Sequence, residues 1–288
     1  MTKEEKDEIE ARLRLTNENV FPFNNQRKFT ETEIQKILEL LELEDDWKKQ
    51  IAAKAPIVFQ DDGKEYPPDS FFATDGFFPG YFEQKTKVLF VGRETRWISG
   101  SDFITSSSEY FKKENVNGSA FWRNVLYMFY GIQHEGKVEY KDIPAANEIA
   151  KKMVETNNFG FAVMQLSKYS NDSDEGSIRN VEMMNRFLED SELDKRNFFM
   201  EELSLLDPDI IITANLWECG VNEKYLEQCF PSKKFKNWNG YNNNTAQYGD
   251  FELNGKTIKL INTYHFSARK SSYDCFYEPV MNILFPKK

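Results

Sequence analysis

The clearest periodicity in the chain begins after Thr30, where Ile34, Ile37, Leu38 and Leu41 recur at intervals of three and four residues. That is the stripe of an amphipathic helix. Thr30 and Glu33 stand three apart ahead of it, the spacing of a capping box, so a helix is predicted from residue 31. Residues 56–82 are rich in Pro, Gly, Asp and aromatics and read as a loop-like lead-in. Short apolar runs follow at 87–91 (KVLFV), 159–166 (FGFAVMQL) and 209–213 (DIIIT), each of a length that suits a buried strand. Residues 121–130, 143–154 and 180–206 read as helices, the last stopped by Asp207-Pro208. In 251–263 (FELNGKTIKLINT), Asn254-Gly255 separates two strand-like runs, a hairpin signal, and 271–284 is predicted as the closing helix.

Strands alternating with helices imply a mostly parallel sheet covered on both faces. The predicted architecture is a three-layer αβα domain over 81–288 with a central, mostly parallel four-stranded sheet. Residues 1–80 precede it as a helical extension and lead-in. Ligands of such sheets sit beyond the carboxyl ends of the strands. Four segments fall there: 92–97 (GRETRW), 167–172 (SKYSND), 214–218 (ANLWE) and 264–269 (YHFSAR).

Composition narrows the classes. No apolar run approaches the ~20 residues of a membrane helix, and the charged N-terminus lacks a signal peptide's apolar stretch. Cys219, Cys229 and Cys275 have neither CxxC spacing nor even pairing, which favours a reducing, cytoplasmic setting and supplies too few thiolates for a cysteine-bound metal or cluster. No metal and no organic cofactor is expected, and a monomer is. P-loop, GxGxxG, HExxH and GxSxG patterns are all absent. The net charge of −10 argues against nucleic acid, but residues 232–288 carry nine basic and four acidic side chains. A basic face on an acidic protein is therefore open, with Lys233, Lys234, Lys236 and Lys270 as candidate phosphate contacts if DNA is a partner.

Together the strand-end segments resemble the uracil-DNA glycosylase superfamily. KVLFVGRET resembles its first motif, a strand ending in Gly and a loop carrying the acidic or amide residue that handles water. HFSAR (265–269) resembles its last, where a His faces the base and a wedge residue follows. GSAFWRNVLYMF (118–129) is similar to a helix of the mismatch-specific and thymine-DNA glycosylase branches, and VMQLSKYS with FMEELSLLDPDIIIT is similar to the middle of the bacterial members. The matches keep the family's order from Lys87 to about Leu284. Glu94 stands where the family has Asp or Asn, Thr95 replaces Pro, Arg96 the aromatic that screens the pyrimidine, Gln165 the base-reading Asn, and Phe266 a Pro. The four cysteines of the iron–sulfur branch are missing.

The resemblance implies hydrolysis of the N-glycosidic bond of a damaged or deaminated base in DNA, in a pocket that admits a flipped base. Glu94 and His265 would be catalytic, the first positioning water, the second donating to the departing base. Gly92, Arg96, Gln165, Lys168, Ser267 and Arg269 would bind substrate, with Arg269 as the wedge. Each has a plainer reading: Glu94 as a loop ion pair with Arg93 or Arg96, His265 as a histidine satisfied by carbonyls, Gln165 as a strand cap, Arg269 as a surface arginine near Asp274. The alternative functions are a catalytically lapsed member of the fold acting as a binding or interaction protein, and an enzyme acting on a free nucleoside-like substrate.

Overall fold

Thr30 caps the helix after it as its spacing predicts: the hydroxyl accepts from Glu33 N and the Glu33 carboxylate accepts from Thr30 N. The computed structural model describes residues 1–14, 29–58, 63–113, 115–156, 159–172, 177–231, 235–238 and 246–286. In chain order the elements are α1 (Lys3–Arg14), α2 (Glu31–Ala52), β1 (Ile57–Val58), β2 (Glu65–Tyr66), β3 (Gly76–Phe77), β4 (Val88–Glu94), α3 (Phe103–Lys113), α4 (Ala120–Gln133), α5 (Ala146–Glu155) and β5 (Ala162–Ser167). They continue with α6 (Ser177–Asp190), α7 (Phe198–Leu206), β6 (Ile210–Ala214), α8 (Glu223–Cys229), β7 (Lys236–Trp238), β8 (Ala246–Leu253), β9 (Lys256–Thr263) and α9 (Glu278–Leu284).

Among the described residues the main sheet has seven strands, not four, in the order β3-β5-β4-β6-β9-β8-β7. The strands β5, β4, β6 and β9 lie side by side and parallel. The sheet is larger because antiparallel strands extend both edges, β3 on β5, β8 on β9 and β7 on β8. The β8–β9 hairpin turns on Asn254 (φ 52°) and Gly255 (φ 77°), the two successive positive φ values that a tight two-residue turn demands.

Successive side chains of a strand point to opposite faces, and two apolar layers result. Leu89, Val91, Ala162 and Met164 face α2, α6, α7 and α8; Val88, Phe90, Phe161 and Val163 face α3, α4, α5 and α9. The helical stretch expected over 180–206 is interrupted, because Glu192 turns with φ 46° and Asn197 opens a new helix by accepting from Met200 N at 3.1 Å. The closing helix is also divided: a π-helical turn over Tyr273–Tyr277 precedes α9, whose Pro279 has no N–H to continue an ordinary ladder.

Two described elements from residues 1–80 pack into the main fold. The strand β3 belongs to the main sheet, and α2 supplies Leu40, Leu43, Trp47 and Ile51 to the same core as Met164 and Phe187. Trp47 is fully buried, stacks on Phe198 at 5.3 Å and donates from Nε1 to Ser191 Oγ at 2.8 Å. No helix among the described residues is long and apolar enough to cross a membrane.

Trp47→Ala is expected to cost about 3–5 kcal/mol, the usual loss for a buried Trp, and Trp47→Phe about 1 kcal/mol from the lost hydrogen bond. Urea unfolding checks both. A Trp47→Ala loss below about 1 kcal/mol would show that α2 is only loosely attached to the core.

Candidate functional site

The carboxyl edge of the sheet begins to specialise at Gly92. This residue faces Gln165 across the parallel β4–β5 ladder, and the Gln165 amide lies against it with Oε1 nearest. A Cβ at position 92 would collide with Gln165 Oε1 and come to 3.0 Å from its Cδ and 3.1 Å from its Nε2. Only glycine permits that approach. Gln165 is buried, and its Oε1 has no hydrogen-bond partner among the described residues. Its backbone N donates to Asp75 Oδ2 at 2.6 Å, which fixes the strand end that carries it.

Two residues beyond Gly92 on the same face, Glu94 closes β4 opposite Ser167. Its Oε2 is buried without a partner among the described residues, and so is Thr95 Oγ1. Burial pushes the Glu94 carboxyl above its ordinary range, against the opposing pull of Arg93 and Arg96. On α4, Asn124 donates from Nδ2 to Phe266 O at 2.8 Å, leaving its buried Oδ1 unpartnered. Phe266 packs edge-on against Phe90 at 5.7 Å, so Asn124 reaches the layer that Gly92 and Gln165 face.

His265 follows β9, with β6 between it and β4, about 10 Å of strand spacing in all. Its Nδ1 accepts from Ser267 N at 3.3 Å and pairs with Ser267 Oγ at 2.6 Å. That pattern places the ring proton on Nε2. Burial, assisted by the nearby Arg93 charge, lowers the His265 pKa to about 4. At neutral pH the ring is therefore an uncharged Nε2–H donor. The Arg93 guanidinium stands over the end of β6, at 3.4 Å from Ala214 O and 3.5 Å from Asn215 O, and its charge reaches both Glu94 and His265.

The structure thus brings Gly92, Gln165 and Glu94 together on one face, with His265 and Ser267 farther along the same edge. Arg96 and Arg269 are exposed on the rim. Lys168 is elsewhere. It is fully buried on the opposite face, where Nζ pairs with Asp75 Oδ1 at 2.6 Å and Glu202 Oε1 at 2.8 Å, 5.6 Å from the Trp47 ring. Of the candidate phosphate contacts, Lys236 and Lys270 are exposed, while Lys233 and Lys234 lie outside the described residues.

Sequence reasoning missed this buried cluster. Among the described residues, Glu44, Asp75 and Glu202 are the carboxylates close enough to hold a metal, their oxygens lying within 4.8 Å of one another. The Lys168 ammonium already occupies the position a cation would take. Burial raises Glu44 and Glu202 well above the carboxylate range, and for Glu202 the neighbouring Asp75 charge adds to it. Burial alone would lower Lys168, but Asp75, Glu202 and Glu44 together hold it above its usual value. A cavity of about 250 Å³ opens beside Glu44 and Asp75, walled mainly by apolar side chains of α1, α2 and α3. Asp102 on its wall is committed to capping α3, accepting from Thr105 N at 2.6 Å. Asn124 was also missed; its signal was a lone amide in the apolar stretch AFWRNVLYMF.

No family model matches the chain, and neither the curated proteins nor the solved structures contain a match.

Lys168→Met leaves buried carboxyl groups without their counter-charge and is expected to cost about 3–5 kcal/mol at pH 8. Glu44 and Glu202 have raised carboxyl pKa values in the folded state, so above about pH 4.5 the folded chain holds protons that the unfolded chain has released. Their contribution to stability therefore falls as pH rises, and more steeply without Lys168. Urea midpoints at pH 5 and pH 8 should show a smaller loss at pH 5; an equal loss at both would contradict this account.

Proposed function

We propose that the carboxyl edge of the sheet is a nucleobase site that hydrolyses an N-glycosidic bond. The observation that carries the reading is the set of buried oxygens without a partner among the described residues: Glu94 Oε2 and Gln165 Oε1 on one face of β4 and β5, and Asn124 Oδ1 on α4, which packs on that face. Each such atom costs about 1–3 kcal/mol, which a ligand presenting donors recovers. The parallel run β5-β4-β6-β9 with helices on both faces is the arrangement that the resemblance to uracil-DNA glycosylases implies.

In this reading Glu94 takes a proton from a water that attacks the anomeric carbon. The carbon–nitrogen bond breaks with its electron pair leaving on the base, and the products are a free base and the hydrolysed sugar. Negative charge near the sugar favours the cationic transition state. His265 donates from Nε2 to the base as it gains charge, a task suited to a neutral imidazole. Arg93 opposes protonation of both groups, against burial at Glu94 and together with it at His265.

A second reading, a non-catalytic binding protein on the same edge, is favoured by the net charge of −10 and by the Gln165 amide lying against Gly92.

Glu94→Gln keeps shape and removes charge, so kcat for base release is expected to fall about 10²–10⁴-fold with binding retained. Because Glu94 must be ionised and its carboxyl is raised by burial, activity should climb with pH through a limb above the ordinary carboxylate range. His265, at about 4, adds no limb near neutrality. Chromatographic detection of free base from oligonucleotides and nucleosides is the assay. Unchanged turnover in Glu94→Gln, or no base released by the parent protein from any substrate, would refute the catalytic reading.

A further inference from the structure

Trp97 stands in the loop directly after Glu94, 57% exposed, with φ at 61°. A bulky side chain in the left-handed region is a strained outlier that persists only when its surroundings impose it. The surroundings do impose it. Before Trp97, Thr95 O accepts from Asn171 N at 2.9 Å; after it, Ile98 N donates to Ser170 Oγ at 3.2 Å and Gly100 N to Phe72 O at 3.2 Å. The loop is thus pinned on both sides to the segment beyond β5, and the indole is held outward instead of folding onto the apolar surface. Folding stability gains nothing from a strained backbone and an uncovered indole, whereas a stacking ligand gains a rigid flat platform.

Basic and aromatic side chains also follow β9, two strands farther along the same edge. Arg96 adjoins Trp97, and beyond β9 the exposed Arg269 and Lys270 lie close in sequence to Tyr273, which is 40% exposed. Lys270 Nζ lies 4.7 Å from the centroid of the Tyr264 ring. Exposed aromatic side chains together with basic ones on one edge are the elements with which proteins bind single-stranded nucleic acid. A duplex keeps its base faces stacked and offers a lone indole nothing to cover.

We propose that Trp97 is the stacking platform of a single-stranded nucleic-acid site, which delivers an unpaired base to the edge where Glu94 and Gln165 lie. The proposal deepens the nucleobase reading and rests on it for what happens to the base, but binding is measured independently of cleavage. The test is fluorescence polarisation with a labelled mixed-sequence single strand and its duplex, at about 50 mM salt, a concentration at which phosphate contacts still register. The single strand should bind at least tenfold tighter than the duplex. Trp97→Ala should weaken single-strand binding by about 5- to 150-fold, the worth of one base–aromatic stack. Trp97→Phe should retain most of it, and the salt slope should not change with either, because no phosphate contact is removed. Thermal melting guards against misfolding, and Trp97→Gly, which relieves the positive φ, should melt no lower than the parent while binding as weakly as Trp97→Ala. Equal or tighter duplex binding, no single-strand binding, or affinity unmoved by Trp97→Ala would each overturn the proposal. Trp97-dependent binding without base release would leave it standing and remove the catalytic reading; base release with Trp97 dispensable would do the reverse.

Discussion

One lysine ammonium, buried without exposure among carboxyl groups, joins the parts on which the rest of the molecule depends. Lys168 follows β5, Asp75 precedes β3, Glu202 comes from α7, and Glu44 and Trp47 from α2. Asp75 is the pivot. One oxygen holds Lys168 and the other accepts from Gln165 N at 2.6 Å, while Asp75 N donates to Glu44. Burying such charges is costly unless each finds its partner. The cluster therefore forces the N-terminal helix, the edge strand and the end of β5 into one arrangement. That arrangement fixes where Gln165 sits against Gly92, so the candidate site on one face is positioned by an ion network on the other.

Electrostatics divides the two faces in the same way. Behind the sheet, more carboxyl groups than cations meet in a buried cluster, and protons or Lys168 must balance them. At the carboxyl edge a single arginine, Arg93, acts on a carboxylate and an imidazole together, favouring the charged form of Glu94 and the neutral form of His265. The charge lowers both pKa values: at His265 it adds to burial, and at Glu94 it opposes burial, which still prevails.

Much of the scaffold was legible in the sequence because local rules governed it. The Thr30–Glu33 spacing gave the start of α2, Asn254-Gly255 gave the hairpin, and the three apolar runs with the hairpin's second run gave the parallel strands. What failed depended on distant partners. The edge strand β3 is two residues long and carries no pattern of its own; it exists because β5 pairs with it. Lys168 was assigned to the site because it follows a strand, yet it stands three positions after Gln165, and an odd separation places the two on opposite faces. The acid partners of Lys168 lie 93 and 34 residues away, a separation that no local spacing rule can bridge. Trp97 was quoted within its loop but not singled out, because exposure and a positive φ are properties of the folded backbone alone.

The central claim is that ligand engages the carboxyl edge near Gln165 and His265, not the mainly apolar cavity beside Glu44 and Asp75. NMR of the 33.9 kDa chain during titration with a short single-stranded oligonucleotide addresses it directly, following the Gln165 side-chain amide, the His265 ring and the Trp97 indole. The account predicts that these three signals move together and saturate at one ligand concentration, while the methyl groups of Ile9, Leu13 and Leu41 around the cavity stay still. Shifts confined to those methyl groups, with Gln165, His265 and Trp97 unmoved, would contradict it.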